Sequence, residues 1–476
     1  RAVTPHHPLI QEGHPVQAFT ETMQSAGGLT IVGLGIIAVT VGILLRGRSN
    51  PIVVMTLVPV IGALIAGYGI QSIGDFYGEG LESVMNVVVM FIFAIIYFGI
   101  LNDTGLFTPL VKGLIIATRG NVVLVALGTA AIGTVVHLDG AGATTFLITI
   151  PALLPLYKAM HMSRYVLLAI VATAASVMNM VPWAGPVGRA SSVIDQTPVE
   201  LWQHILPVQG IALVLVFVIA GLLGWKESRR IARLRQSPEF TGTGNVDVHA
   251  IADEFEAGEK EKQAQTGATM RQGRWVTVTN IVLPVVMLAL LMSGWIDPGP
   301  VFLIGTTIAL VLNFPLSGEQ ADTLKRHAPN ALSMAGVILA AAMFLGVLNG
   351  SGMLEEIALS LLNILPDSVG SQLHVIIGLL GVPLDLLTST DAYYFSVLPV
   401  VQETAASFGV SGTGAASSLI IGNIIGTFVS PFSPALWLAI GLSGGTIGKH
   451  IKFTFPIAWA FGAVMVLISL ALGLLA

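Results

Sequence analysis

The chain is 476 residues long with a net charge of −5; 54% of its residues are hydrophobic and 10% charged, and its mean hydropathy is +0.84. A soluble globular protein carries about 25% charged residues, so this composition places the chain in a membrane. It has no basic, aromatic-interleaved patch suited to nucleic acid, and the absence of cysteine excludes disulfides, thiolate metal sites and cysteine nucleophiles.

Residues 1–28 read as a polar leader without the basic-then-apolar layout of a signal peptide, and His6, His7 and His14 as part of a floppy segment rather than metal ligands. Apolar runs of about 17–25 residues, long enough to cross a bilayer, lie at 30–46, 51–70, 84–101 and 205–225. Others lie at 275–293, 300–316, 331–348 and 453–475. Between them the apolar stretches 121–156, 165–194, 372–406 and 413–444 are each split by Gly, Pro, Ser, Thr, Asn or Asp. The polar segment 226–274, opening KESRRIARLRQ, reads as a flexible cytoplasmic linker between two halves, 29–225 and 275–476.

The halves repeat. FGILNDTGLF (98–107) matches LGVLNGSGML (345–354) at an offset of 247, and ATTFLITIPALLPLYKAMHMS (143–163) matches DAYYFSVLPVVQETAASFGVS (391–411) at 248, aligning Pro151 with Pro399. NMVPWAGP (179–186) then faces NIIGTFVSP (423–431), which pairs Asn179 with Asn423. Lys and Arg favour cytoplasmic loops. If 30–46 runs inward and the hairpins 121–156 and 372–406 each enter and leave on one side, 19 of the 21 Lys and Arg fall inside, and both termini lie outside. Full double crossings by the hairpins leave the later loops unchanged, so charge does not establish re-entry. It does imply an odd number of crossings per half, and hence inverted repeats.

The expected fold is an all-α integral membrane protein of two inverted-topology repeats, each with a re-entrant hairpin and a broken transmembrane helix. That pattern points to a secondary transporter with its site near the bilayer midplane. A channel would need a ring-forming filter sequence, and a metal-dependent membrane hydrolase an HExxH motif; neither occurs.

The polar breaks are where chemistry is expected: the hairpin tips LDGAGATT (138–145) and LLTSTD (386–391), and the unwound segments NMVPWAGP (179–186) and GTFVSPFSP (426–434). Glycine runs expose amide N–H groups, and helix starts suit a carboxylate. Carbonyls, hydroxyls, amides and carboxylates are hard oxygen ligands for Mg²⁺, Ca²⁺ or Na⁺. Asp139 and Asp391 read as metal and proton sites, because an intramembrane acid usually lines a pathway; the plainer reading is that they cap the helices that follow. His137 reads as a proton relay or a satisfied core histidine. Arg189 would clamp a substrate carboxylate, or snorkel towards Asp195. Gly140, Gly142, Thr144, Asn179 and Gly185 of the first half join Ser389, Thr390, Asn423, Thr427 and Ser430 of the second as expected substrate contacts. Asp385 is divided between a structural and a supporting role, Lys158 and Glu403 read as interfacial, and Trp183 and Trp437 read as packing beside the breaks.

At these residues the sequence resembles the citrate–metal–proton symporter family (CitMHS) of the ion-transporter superfamily. The resemblance runs from about residue 30 over nearly the whole chain, through FGILNDTGLFTPLV (98–111), LDGAGATTFLITIPALLPLY (138–157), VMNMVPWAGPVGRA (177–190), PLDLLTSTDAYYFSVLPVV (383–401) and SPFSPALWLAIGL (430–442). It implies a homodimeric elevator carrier in a bacterial inner membrane that imports citrate complexed with a divalent metal, in symport with protons. The metal is cargo, and no resident cofactor is implied. The family commonly has DGDG where this chain has Asp139-Gly140-Ala141-Gly142, so one carboxylate is missing here. The alternatives are a sodium-coupled di- or tricarboxylate carrier of the same superfamily and a membrane-embedded hydrolase.

Overall fold

Among the described residues nine helices run from Ala26 to Arg235, and their order recurs in the second half. A computed structural model describes residues 20–46, 49–236, 247–265, 270–271, 273–293, 295–388 and 390–476. In the first half these helices are α1 (Ala26–Leu45), α2 (Pro51–Ile65), α3 (Ile70–Asp103), α4 (Thr108–Ala117), α5 (Val122–Val136), α6 (Gly142–Ala159), α7 (Arg164–Met178), α8 (Gly185–Val193) and α9 (Pro198–Arg235). A linker helix, α10 (Val248–Gln265), follows. The series then resumes with α11 (Arg274–Ser293), α12 (Pro298–Asn313), α13 (Ser317–Gly350) and α14 (Met353–Ile364). After the single turn Asp367–Gly370, α15 (Leu373–Leu379) and α16 (Gly381–Asp385) rise to the second tip. The return arm is α17 (Thr390–Ala392), a π-helical turn (Tyr393–Val397) and α18 (Leu398–Ala406), and the chain ends with α19 (Gly412–Ile424), α20 (Pro434–Ser443) and α21 (Ile447–Ala471). Pro51, Ile70 and Asp103 thus correspond to Pro298, Ser317 and Gly350, the same 247-residue displacement as in the sequence.

Local chemistry sets the boundaries. Asn50 caps α2 through Ile52 N at 2.9 Å, and Asn121 caps α5 through Val123 N at 2.9 Å. Thr197 and Glu200 form a reciprocal capping box at the start of α9. Ser163 and Ser411 cap the equivalent helices α7 and α19. The π turn ends at Pro399, which lacks the N–H that a regular helix would donate to Phe395.

The equivalent long helices α3 and α13 pack extensively and run antiparallel. Gly80 lies against Gly346 and the Ala342 carbonyl at one end, while Asp103 meets Arg326 and His327 at the other. A Cβ on Gly80 would stand 2.2 Å from Ala342 O, so only glycine lets the two backbones approach this closely, the usual device where lipid supplies no hydrophobic drive. These helices share a core with α11 and α12. A second core joins α5–α9 to the hairpin and broken helices of the second half.

Among the described residues seven helices are long and apolar enough to cross a membrane. Two of them, α3 and α13, each 34 residues long, begin 14 residues before the apolar runs at 84 and 331. Segment 226–274 is helical as far as Arg235 and again over α10, where the sequence suggested a flexible stretch. The signal was present: Val248, Ile251, Ala252 and Phe255 fall at helical spacing. They pack onto the second core, while Lys112 of α4 bridges to Asp253 at 2.7 Å and Glu256 at 2.5 Å. His6, His7 and His14 lie outside the described residues.

Candidate functional site

Each of the four breaks is built by residues that cannot continue a helix. At the first tip α5 ends in a 3₁₀ turn, His137–Asp139, and Gly140 takes φ = +69°, a conformation costly for any side chain. Asp139, 7% exposed, closes this turn by accepting from Ala141 N at 2.8 Å, and Thr144 bears on its carboxyl. The N-cap position of α6 is Ala141, so Asp139 turns the chain two residues before the cap. Trp183 donates to Leu138 O at 2.7 Å and stacks on Phe98, tying the first tip to the first unwound segment.

His137 is fully buried and bonded at both nitrogens, Nδ1 to Thr145 Oγ1 at 2.6 Å and Nε2 to Asn179 Oδ1 at 2.8 Å. Asn179 Oδ1 is an acceptor, so Nε2 carries hydrogen. Nδ1 then either accepts from the Thr145 hydroxyl or carries a second proton. In the second case the hydroxyl turns to its other partner, Ala141 O at 3.1 Å. Both states are hydrogen-bonded without moving a heavy atom.

The equivalent position in the second half, 248 residues on, is Asp385. It is 1% exposed, and neither carboxylate oxygen has a hydrogen-bond partner among the described residues. Beside it Ser430 Oγ donates to the Asp385 carbonyl at 2.5 Å, and a Cβ on Gly426 would come within 3.1 Å of its carboxylate. Asn423 Oδ1 and Thr427 Oγ1 are also unpartnered. The burial of Asp385 is set by α19 and the second unwound segment, not by its neighbours in the chain. Asn423 lies 11 residues into α19 and Asn179 lies 15 beyond the start of α7, so the two amides share a helix face but sit about one turn apart.

Arg189 of α8 and Asp391 of α17 meet across the halves, Nε to Oδ1 at 2.6 Å, with side chains 13% and 16% exposed. The sequence suggested a clamp on substrate or a partner near Asp195; the guanidinium instead pairs with the second tip. It also folds over the start of its own helix, where a Cβ on Gly185 would meet Arg189 Nη1 and the Met334 methyl of α13. Thr390 begins α17 and is half-buried; Ser389 lies outside the described residues.

The halves touch elsewhere too. Phe428 of the second unwound segment lies edge-on to His137 and Phe146, and closes on Gly142 of the first tip. Ser176 Oγ donates to Ile425 O at 3.4 Å. Trp437 is half-exposed and donates to Pro431 O, bracing the second break. A cavity of about 180 Å³ opens beside Ser192 and Asp195, between α8 and the long helices α3 and α13. Among the described residues no three His, Asp or Glu side chains converge as a metal site. The acids here stand singly or beside a cation.

A family profile described as Citrate transporter matches residues 28–422. Two Bacillus subtilis proteins, a "Citrate transporter" and an "Mg(2+)/citrate complex secondary transporter", are each 32% identical over 444 residues, covering 93% of this chain and 98% of theirs. Among solved structures, the Alcanivorax borkumensis YdaH transporter aligns over 83% of this chain and 88% of its own, with TM-score 0.55 and 16% identity. The Neisseria gonorrhoeae MtrF structure aligns over 86% and 83%, with TM-score 0.53 and 14% identity; at these identities the likeness is one of fold. With its apolar helices and this match over most of its length, the chain is a multi-pass membrane protein that belongs to the citrate transporter family, a family of transporters and not of enzymes.

Proposed function

We propose that this protein imports citrate, or a related di- or tricarboxylate, as a complex with a divalent metal, in symport with protons. The observation that carries the reading is the Arg189–Asp391 pair at the meeting of the two halves. A metal–citrate complex carries both charges needed to open that pair: a free carboxylate for Arg189 and a cation for Asp391. Asp139 would add a second carboxylate towards the metal. Gly140, Gly142, Thr144, Asn179, Gly185, Ser389, Thr390, Asn423, Thr427 and Ser430 would supply the surrounding amides, hydroxyls and helix starts. The name of the relative that carries an Mg(2+)/citrate complex supports this cargo.

Proton coupling follows from the same groups. A bare carboxylate is costly to move through lipid, so Asp139 and Asp385 would cross only when neutralised by a proton or a cation. His137 would pass or hold a proton by the Thr145 hydroxyl switch. The antiparallel α3 and α13 support inverted repeats. In an elevator built on them, the body of hairpins and broken helices would slide against the body of long helices. We place the carrier in a bacterial inner membrane, as a homodimer with both termini outside.

The test is uptake of labelled citrate into proteoliposomes under an imposed pH gradient, with EDTA or a panel of divalent metals. Uptake is expected to require both metal and gradient; uptake unaffected by EDTA would overturn the metal-complex assignment. The unpartnered oxygens of Asn423 and Thr427 beside Asp385 suit Na⁺ as the coupling ion instead. Sodium dependence at fixed pH would establish that alternative.

A further inference from the structure

At the end of α9, where the apolar run stops, Lys226, Arg229, Arg230 and Arg233 occupy one helical face at spacings of three and four residues. They line an open cavity of about 800 Å³ together with Trp225. Glu227 shares the cavity but is already engaged: it holds Arg230 at 2.6 and 2.9 Å and accepts from Ser163 N at 2.5 Å. Lys226, Arg229 and Arg233 face no carboxylate among the described residues. The Arg229 guanidinium carbon lies over the Trp225 ring, 3.7 Å from its centroid, and both side chains line the cavity. The remainder of the wall is apolar, with Val166 of α7, Leu223 of α9 and Phe453 of α21.

We infer that this cavity binds an anionic phospholipid, its phosphate between Lys226, Arg229 and Arg233 and an acyl chain along Val166, Leu223 and Phe453. A soluble anion would use the cations and leave the apolar wall wet; a neutral lipid would leave three cations uncompensated. An amphipathic anion satisfies both surfaces. Trp225, half-exposed at the end of a spanning helix, sits where aromatic side chains anchor at the headgroup level. Basic pockets between spanning helices on the cytoplasmic side recognise acidic headgroups. The lipid would span α7, α9 and α21, tying the first half to the last helix of the second.

The experiment is native mass spectrometry of the full chain, purified in detergent and titrated with phosphatidylglycerol, with phosphatidylcholine of the same acyl chains, and with inorganic phosphate. Phosphatidylglycerol is expected to be retained on the order of a hundredfold better than phosphatidylcholine, a margin set by three cations near an anionic headgroup. The K226Q/R229Q/R233Q variant should lose that margin while its melting temperature in detergent stays unchanged. Equal retention of the two lipids by the unmodified chain would overturn the proposal whatever the variant does. Full displacement of phosphatidylglycerol by millimolar phosphate would overturn it in favour of a soluble-anion site. Should the triple variant fail to fold, R233Q alone is expected to lower phosphatidylglycerol retention several-fold, and no change would count against the site.

Discussion

Arg189 and Asp391 neutralise each other across the two halves, and that mutual dependence governs what substitutions do there. Asp391→Asn leaves a largely buried guanidinium without its partner, at a cost of about 2 kcal/mol after allowing for its partial exposure. Its melting temperature should fall and its coupled uptake vanish. Arg189→Gln combined with Asp391→Asn should recover much of the melting temperature and none of the uptake. Recovered uptake in the double variant, or full pH-dependent uptake by Asp391→Asn alone, would remove the pair from the transport site. Asp385 makes the opposite case. Its carboxylate makes no hydrogen bond of good geometry among the described residues, although the Asn423 side chain bears on it, so Asp385→Asn, an amide of the same shape, should leave the melting temperature nearly unchanged. Citrate uptake should then persist with a reduced dependence on the pH gradient. Unchanged gradient dependence would make Asp385 a structural residue.

Helix α10 is the element that the sequence disguised. Its charged face suggested solvent, but its apolar stripe seats it on α4 and α6, and Lys112 of α4 fastens it through Asp253 and Glu256. These exposed ion pairs position more than they stabilise. Lys112→Ala should leave the melting temperature within about 1 °C but raise the rate of proteolytic cleavage in the linker, and high salt should reproduce the effect. Lys112 and then Lys260 hold the Glu256 carboxyl down to about 2. A depressed carboxyl pKa stabilises the docked state above the ordinary carboxylate range and loses that contribution as pH falls towards 2. Protection of α10 should therefore be flat from neutral pH to about 5 and decline below it, as hydrogen exchange across that range would show. Protection that is indifferent to Lys112 would assign the docking to Ile251 and Phe255 alone.

At the scale of the whole molecule, two helical cores meet along α8, which lies against α3 and α13. Sliding along that boundary is the motion the proposed elevator requires. The chain has no cysteine, so an introduced pair reports without background. Glu79 of α3 and Ser192 of α8 line the same cavity. Glu79→Cys with Ser192→Cys, bridged by a reducible bifunctional thiol reagent, should stop citrate uptake, and dithiothreitol should restore it. Uptake that continues while the bridge is intact would rule out relative movement of these two bodies during transport.

Membrane residence, and the glycines and prolines that punctuate the apolar runs, were legible in the chain alone. Lipid offers no hydrogen bonds to free backbone, so where Gly140, Pro182 and Pro431 interrupt helices within apolar runs, the freed groups must face protein or a polar guest. The near-constant displacement between the halves was visible for the same reason: each apolar run has to span one bilayer, which fixes its length. The pairing of Arg189 with Asp391, 202 residues away, was not legible. Nor were the isolation of Asp385, the two bonded states of His137 and the docking of α10. Each depends on which side chain the fold packs alongside, and a partner 42 or 202 residues away leaves no mark on local composition or periodicity. Sequence placed the polar groups inside the membrane; tertiary packing decided which were paired, which were left bare, and therefore which are available to a passing ion.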